Sequence, residues 1–303
     1  MDQQERAVGA VLGLALGDGL GAPFEFRRAA QVPDPLPAFE LPWNGLAPGS
    51  TTDDTAMARN LTRSLVGRGG FDADDVARRH VAWLATDPPD VGVLTRRVLT
   101  GIRDGDRDAA RRYVQERGPE MSAGNGSVMY CAPLGLAYAR RPEALFELAP
   151  ALSAITHWDG RCRTACLAVT LGVAGLARGE PPDDVVGDAV RATLDLEGGE
   201  ELEFLVAEAG RARPIDGPDQ GFCLFTAGVA LRTAVEAPSV EAGLRSVVAL
   251  GGDTDTNGAV AGALLGARDG SPGLPARWLA RLVDGEQIRA EAEGLAALAQ
   301  RLA

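Results

Sequence analysis

Two trios of glycine set the strongest constraint on what this chain can fold into. Gly9, Gly13 and Gly17 recur at every fourth residue of one apolar stretch, and Gly258, Gly262 and Gly266 do the same in another. In a helix that spacing places each trio on one face. Glycine weakens a helix interior by roughly 1 kcal/mol relative to alanine, so three glycines on one face point to close approach of another backbone. Both stretches are therefore read as central helices. Membrane-type pairing of small residues is the poorer alternative, because the longest apolar run read from the sequence, residues 166–177, is too short to span a bilayer.

Strand signals are scarce. Helical periodicity is predicted over residues 4–17, 55–66, 73–85, 127–140 and a series of further stretches down to 256–267 and 287–302, which makes the chain all-α. Hydrophobic residues make up 46% of the chain and aromatics only 5%, so Ala, Val and Leu must build most of the core. The formal charge is −12, and arginine supplies every basic side chain because lysine is absent. That balance argues against general binding to nucleic acid or anionic membranes. An anionic small molecule stays open, because a bound metal and backbone dipoles reverse the field inside a cleft. No secretory leader pattern is read, so the expected location is the cytoplasm, and the Arg, Ala and Gly bias suggests a GC-rich bacterial genome. The cysteines, Cys131, Cys162, Cys166 and Cys223, lie in apolar helical context and are expected to pack in the core.

The polar residues carry the chemistry. Thr51-Thr52-Asp53-Asp54-Thr55 and Gly251-Gly252-Asp253-Thr254-Asp255-Thr256-Asn257 each form a polar turn ahead of an apolar helical run. Asp and Thr at such positions are ordinary helix caps. Capping needs one acceptor, however, and these segments crowd several. Adjacent uncompensated carboxylates repel, and an all-oxygen donor set suits hard divalent cations such as Mg2+ and Mn2+. If the fold joins the clusters, they make a carboxylate-bridged dinuclear site.

Four further segments matter. Glu25 lies between Phe24 and Phe26 at the edge of an irregular, proline-rich stretch over residues 24–50. Desolvation there would suit it for acid/base work, and a solvated glutamate is the alternative. Gly124-Asn125-Gly126-Ser127, ahead of the predicted helix 127–140, leaves backbone N–H groups for a phosphate; an ordinary turn with a serine cap explains it as well. His157, beside Trp158, is either a donor to phosphate or sugar or a satisfied buried histidine, and His80 is structural or exposed. Residues 83–96, including Asp87-Pro88-Pro89-Asp90, read as a helix–turn–helix connection without chemistry.

Gly17-Asp18-Gly19-Leu20-Gly21 with Glu25, Thr52-Asp53-Asp54-Thr55, Gly124-Asn125-Gly126-Ser127-Val128-Met129, Thr156-His157 and Gly252-Asp253-Thr254-Asp255-Thr256 follow in one order. In that order they resemble the ADP-ribosylglycohydrolase family, over nearly the whole chain. The resemblance implies a compact, single-domain orthogonal helical bundle over residues 1–303, monomeric, with two divalent cations, Mg2+ or Mn2+. It implies metal ligation by Thr52, Asp53, Asp54, Asp253, Asp255 and Thr256, and proton handling by Glu25 or Asp54. Gly124, Asn125, Gly126 and Ser127 become the pyrophosphate cradle and His157 a further ligand contact. The implied partner is ADP-ribose or an ADP-ribosylated substrate, and the implied reaction is hydrolysis at the anomeric carbon. A non-hydrolytic ADP-ribose binder, a structural relative and a two-metal phosphoesterase are the alternatives. Tyr130, where many relatives carry arginine, and Trp158 depart from the family pattern. The acceptor (arginine, serine, O-acetyl-ADP-ribose or nucleic acid) stays open.

Overall fold

A computed structural model describes residues 1–302. The helices are α1 Gln3–Gly21, α2 Asp53–Arg68, α3 Ala73–Leu84, α4 Val93–Arg103, α5 Ala109–Arg117, α6 Ala132–Ala137, α7 Leu145–Ala154 and α8 Gly160–Arg178. They continue as α9 Pro182–Arg191, α10 Gly199–Glu208, α11 Cys223–Glu236, α12 Val240–Ala249, α13 Thr254–Asp269, α14 Ala276–Leu279 and α15 Gly285–Arg301. The sheet among the described residues is one antiparallel pair, β1 Arg27–Arg28 against β2 Gly251–Gly252, with Arg27 opposite Gly252. The fold is all-α, as its periodicity indicates.

α1 and α13 pack directly on each other, and the two glycine trios form the seam. A Cβ on Gly13 would lie 2.2 Å from the Gly262 carbonyl oxygen, and one on Gly17 would lie 1.9 Å from that of Gly258. The pairing repeats one turn further along, where a Cβ on Gly9 would lie 2.4 Å from the Gly266 carbonyl oxygen. The helix cost of these residues is thus offset by backbone contact that no side chain could allow. By length and composition the segment Gln3–Phe24 could cross a membrane, a feature the sequence reading missed; here 94% of its apolar window is buried by the surrounding helices.

The predicted helix 127–140 is a correction. Val128 and Met129 N–H groups both donate to the Asn125 carbonyl, so the chain turns through this stretch. The helix begins only at Ala132, with Pro133 in its first turn. Proline favours a helix start because its missing N–H is unneeded there, so the boundary was written in the sequence.

His80, on α3, is fully buried, with its ring edge-on to Tyr130 at 4.9 Å between centroids. Burial holds its pKa down near 3. An unfolded histidine titrates near 6.5, so between these values the unfolded chain binds the extra proton and stability falls as pH falls. His80→Phe is expected to remove up to about 1.4 kcal/mol per pH unit of that slope between about pH 6 and 4. Urea midpoints measured against pH check this; parallel curves for the two proteins would contradict it.

Candidate metal centre and cleft

The seam of α1 and α13 ends at the acidic clusters. Asp18, near the end of α1, is wholly buried. Its carboxylate accepts from the Thr52 and Thr55 N–H groups at 3.0 Å and from the Thr55 hydroxyl. It thereby fixes the first turn of α2, where Asp53 and Asp54 stand. Thr52 is the N-cap of α2; its hydroxyl accepts from the Asp54 N–H and donates to Asp54 Oδ2 at 3.0 Å. Across the seam, Gly251 and Gly252 adopt φ of 68° and 76°, a left-handed conformation that favours glycine. This turn delivers Asp253 as the N-cap of α13, with Asp255 and Thr256 in its first turn. The Thr254 hydroxyl donates to the Gly21 carbonyl at 2.8 Å, which locks α13 to the end of α1.

The loop after α1 brings in Glu25. Phe26 takes φ of 59° and its N–H donates to the Gly252 carbonyl at 2.7 Å, so the glutamate segment is tied to the strand preceding Asp253. Carboxylate oxygens of Glu25, Asp90 and Asp255 lie within 4.8 Å of one another. Asp53, Asp253 and Thr256 line the same cavity, of about 320 Å³, and Gly124, Asn125, Gly126 and His157 also border it. A second cavity of about 530 Å³ shares Gly124 and is bordered by Met121, Arg161 and Phe222. The carboxylates converge on the smaller cavity.

Among the described residues none of Asp18, Glu25, Asp53, Asp54, Asp90, Asp253 or Asp255 forms an ion pair with arginine, and the charge of Arg96 acts only on Asp90 among them. Burial, reinforced by mutual repulsion, raises the Asp53, Asp54 and Asp255 carboxyls well above the usual range. Burial and then Asp90 push Glu25 up to about 8. Asp18 rises to about 6 through burial, held back by its hydrogen bonds from Thr55 and Thr52. Burial also raises Asp90. Asp54 Oδ1 is buried without a hydrogen-bond partner. A cluster of buried carboxylates that repel one another, with an oxygen left without a donor, is the setting in which cations replace protons. The residues present therefore fit hard divalent cations.

Of the residues singled out in the sequence, Glu25, Asp53, Gly124, Asn125, Gly126, His157, Asp253, Asp255 and Thr256 line the cleft. Thr52 and Asp54 lie buried behind them. Ser127 does not face the cleft. Its hydroxyl bonds to Ser153 Oγ at 2.9 Å and receives the Cys166 thiol, because the chain turns rather than entering a helix here. The Asn125 side chain is also engaged, donating to Asp253 Oδ2 at 2.9 Å and to Thr226 Oγ1 at 3.0 Å. Its side chain thus holds an acidic residue in place, while the residue itself still lines the cleft. Two site residues were missed. Asp18 had a signal, a lone charge in an apolar, glycine-rich helix. Asp90 had none, since only tertiary folding brings its proline-rich turn to the cleft.

Comparison with known proteins agrees with this geometry. The ADP-ribosylglycohydrolase family model matches residues 1–303. The chain is 34% identical to the ADP-ribosyl-dinitrogen reductase glycohydrolase of Rhodospirillum rubrum, over 97% of each protein. It is 27% identical to the ADP-ribosylarginine hydrolase Tri1 of Pseudomonas putida, covering 96% of this chain and 78% of that protein. A solved structure described as an ADP-ribosylglycohydrolase-related protein complex superposes with a TM-score of 0.82 at 33% identity, covering 98% of this chain and 99% of that one. With this family match over the whole chain, and with aspartates from α2 and α13 entering one cleft, the chain belongs to the ADP-ribosylglycohydrolase family.

Proposed function

We propose that the cleft hydrolyses the bond between the anomeric carbon of ADP-ribose and an acceptor, with two divalent cations held by Thr52, Asp53, Asp54, Asp253, Asp255 and Thr256. The observation that carries this reading is the convergence of carboxylates from α2 and α13, distant in sequence, on a cavity that Glu25 also enters. Bound there, Mg2+ or Mn2+ would supply positive charge to orient the ribose hydroxyls and polarise water.

The chain's own groups divide the remaining work. Glu25 borders the cavity, whereas Asp54 is buried behind it with one oxygen already bonded to Thr52. Access therefore assigns proton transfer to Glu25 and a holding role to Asp54. The Gly124–Gly126 turn offers a flat backbone wall for a pyrophosphate, since a Cβ on Gly126 would lie 2.8 Å from His157 Cε1. The adjoining cavity at Met121, Arg161 and Phe222 has room for the nucleoside end. Asp90 and the exposed Phe26 also border the cavity.

The test is a panel of arginine-linked, serine-linked and O-acetyl ADP-ribose substrates, assayed with Mg2+, with Mn2+ and with chelator. Intact ADP-ribose is the expected product, with the rate falling at least about a hundredfold on metal removal. Full activity in chelator would contradict the metal roles. Release of phosphate or AMP would favour a phosphoesterase, and calorimetric binding of ADP-ribose without turnover on any linkage would favour a binder.

A further inference from the structure

We infer that Tyr130 and Thr156 form a proton relay that holds His157 with its proton on Nε2, so that the ring presents a hydrogen-bond donor to the cleft. Tyr130, the residue that departs from the family pattern, is fully buried. Its hydroxyl lies 3.2 Å from Thr156 Oγ1, which lies 2.9 Å from His157 Nδ1. Among the described residues neither hydroxyl has another hydrogen-bond partner.

Counting protons decides the direction. Each hydroxyl has one proton to donate. If Tyr130 donates to Thr156 and Thr156 donates to His157 Nδ1, both protons are used and Nδ1 is an acceptor. If His157 Nδ1–H donates to Thr156 and Thr156 donates to Tyr130, the tyrosine proton has no acceptor in a fully buried site. If Tyr130 and Nδ1–H both donate to Thr156, the threonine proton is stranded instead. A buried donor left unmade is unfavourable, so the first arrangement prevails and the ring proton sits on Nε2. The doubly protonated ring is also disfavoured, because burial holds the His157 pKa down near 3.

The Nε2 edge faces the right way. A Cβ on Gly124 would lie 3.5 Å from His157 Nε2, and one on Gly126 would lie 3.1 Å from it. Nε2 makes no hydrogen bond among the described residues, and His157 borders the cavity. The Gly-Asn-Gly turn thus uncovers the donor, and the relay behind the ring keeps it a donor. Its natural acceptors are phosphate or ribose oxygens, a clause that rests on the proposed function. Tyr130 and Thr156 touch no ligand; they are positioning residues.

The chain has only two histidines, so protein labelled with 15N-histidine gives two ring systems, and His80→Phe assigns them. In the wild type the 15N shifts and two-bond couplings of His157 are expected to report the Nε2–H form at neutral pH; the Nδ1–H form would overturn the inference. In Thr156→Val, which takes the hydroxyl away from Nδ1, the ring shifts are expected to move toward a tautomer average and the Kd for free ADP-ribose to rise about fivefold, the effect of one hydrogen bond. Tyr130→Phe, in contrast, leaves Thr156 to donate to Nδ1 and is expected to keep the Nε2–H form. Unchanged shifts and Kd in Thr156→Val would overturn the inference. Thr156→Ser is expected to keep the wild-type spectrum and affinity, and loss of both would overturn the inference. If Thr156→Val does not fold, the wild-type spectrum alone decides. An Nε2–H ring in a protein that binds no ADP-ribose would sink the proposed function and leave the relay standing.

Discussion

An Asp255→Ala protein is expected to retain less than about a thousandth of the wild-type kcat/KM, corresponding to roughly 4 kcal/mol of transition-state stabilisation. The same protein, in chelator, is expected to melt about 2–4 °C higher than the wild type. The two signs have one cause. Asp255 is buried, and its carboxyl is raised first by that burial and then by Asp253, Asp54 and Glu25. Without a cation it is a source of repulsion, so its removal relaxes the fold. In the proposed metal centre it would be a ligand, so its removal would disable that centre. Adding Mn2+ or Mg2+ should therefore raise the melting temperature of the wild type by mass action and leave Asp255→Ala nearly unmoved. Thermal melts with and without metal, beside an activity assay, read both effects. An equal metal-induced shift in the two proteins would show that Asp255 holds no cation.

Gly17→Ala is expected to cost about 3 kcal/mol or more of stability, although alanine is the better helix former by roughly 1 kcal/mol. The added methyl would lie 1.9 Å from the Gly258 carbonyl oxygen and 2.3 Å from its carbon. Both neighbours are backbone within a helix, so neither can step aside as a side chain could. Gly67, on the exposed side of α2, provides the control. A Cβ there meets nothing closer than the end of Arg79 at 3.6 Å, so Gly67→Ala is expected to be neutral or stabilising by up to about 1 kcal/mol. Urea unfolding of the two variants should move in opposite directions. A similar change in both would mean that the seam tolerates side chains.

How far the sequence reached can be judged from these same residues. The glycine trios announced two helices under close approach, because each trio repeats within one short segment. That the trios face each other was not legible, since a period says which face is crowded and nothing about by what. The aspartate pairs were legible through crowding of one donor type. Asp90 was not, because a carboxylate in a proline-rich turn looks like any solvated loop residue until folding sets it beside Glu25 and Asp255. Ser127 misled through the assumption that a Gly-Asn-Gly-Ser turn opens a helix. The local carbonyl of Asn125 captured the next N–H groups, and the serine turned inward.

The seam also bears on how the molecule is made. α1 is synthesised well before α13, with nearly all the other helices between them. Until its partner emerges from the ribosome, a 19-residue apolar helix has no mate for its glycine groove. Long-range closure of this kind is slow and leaves sticky surface on nascent chains. A ribosome stalled ahead of α13 would release a product carrying half the ligand set and an open groove, a substrate for chaperones and proteases rather than a partial enzyme.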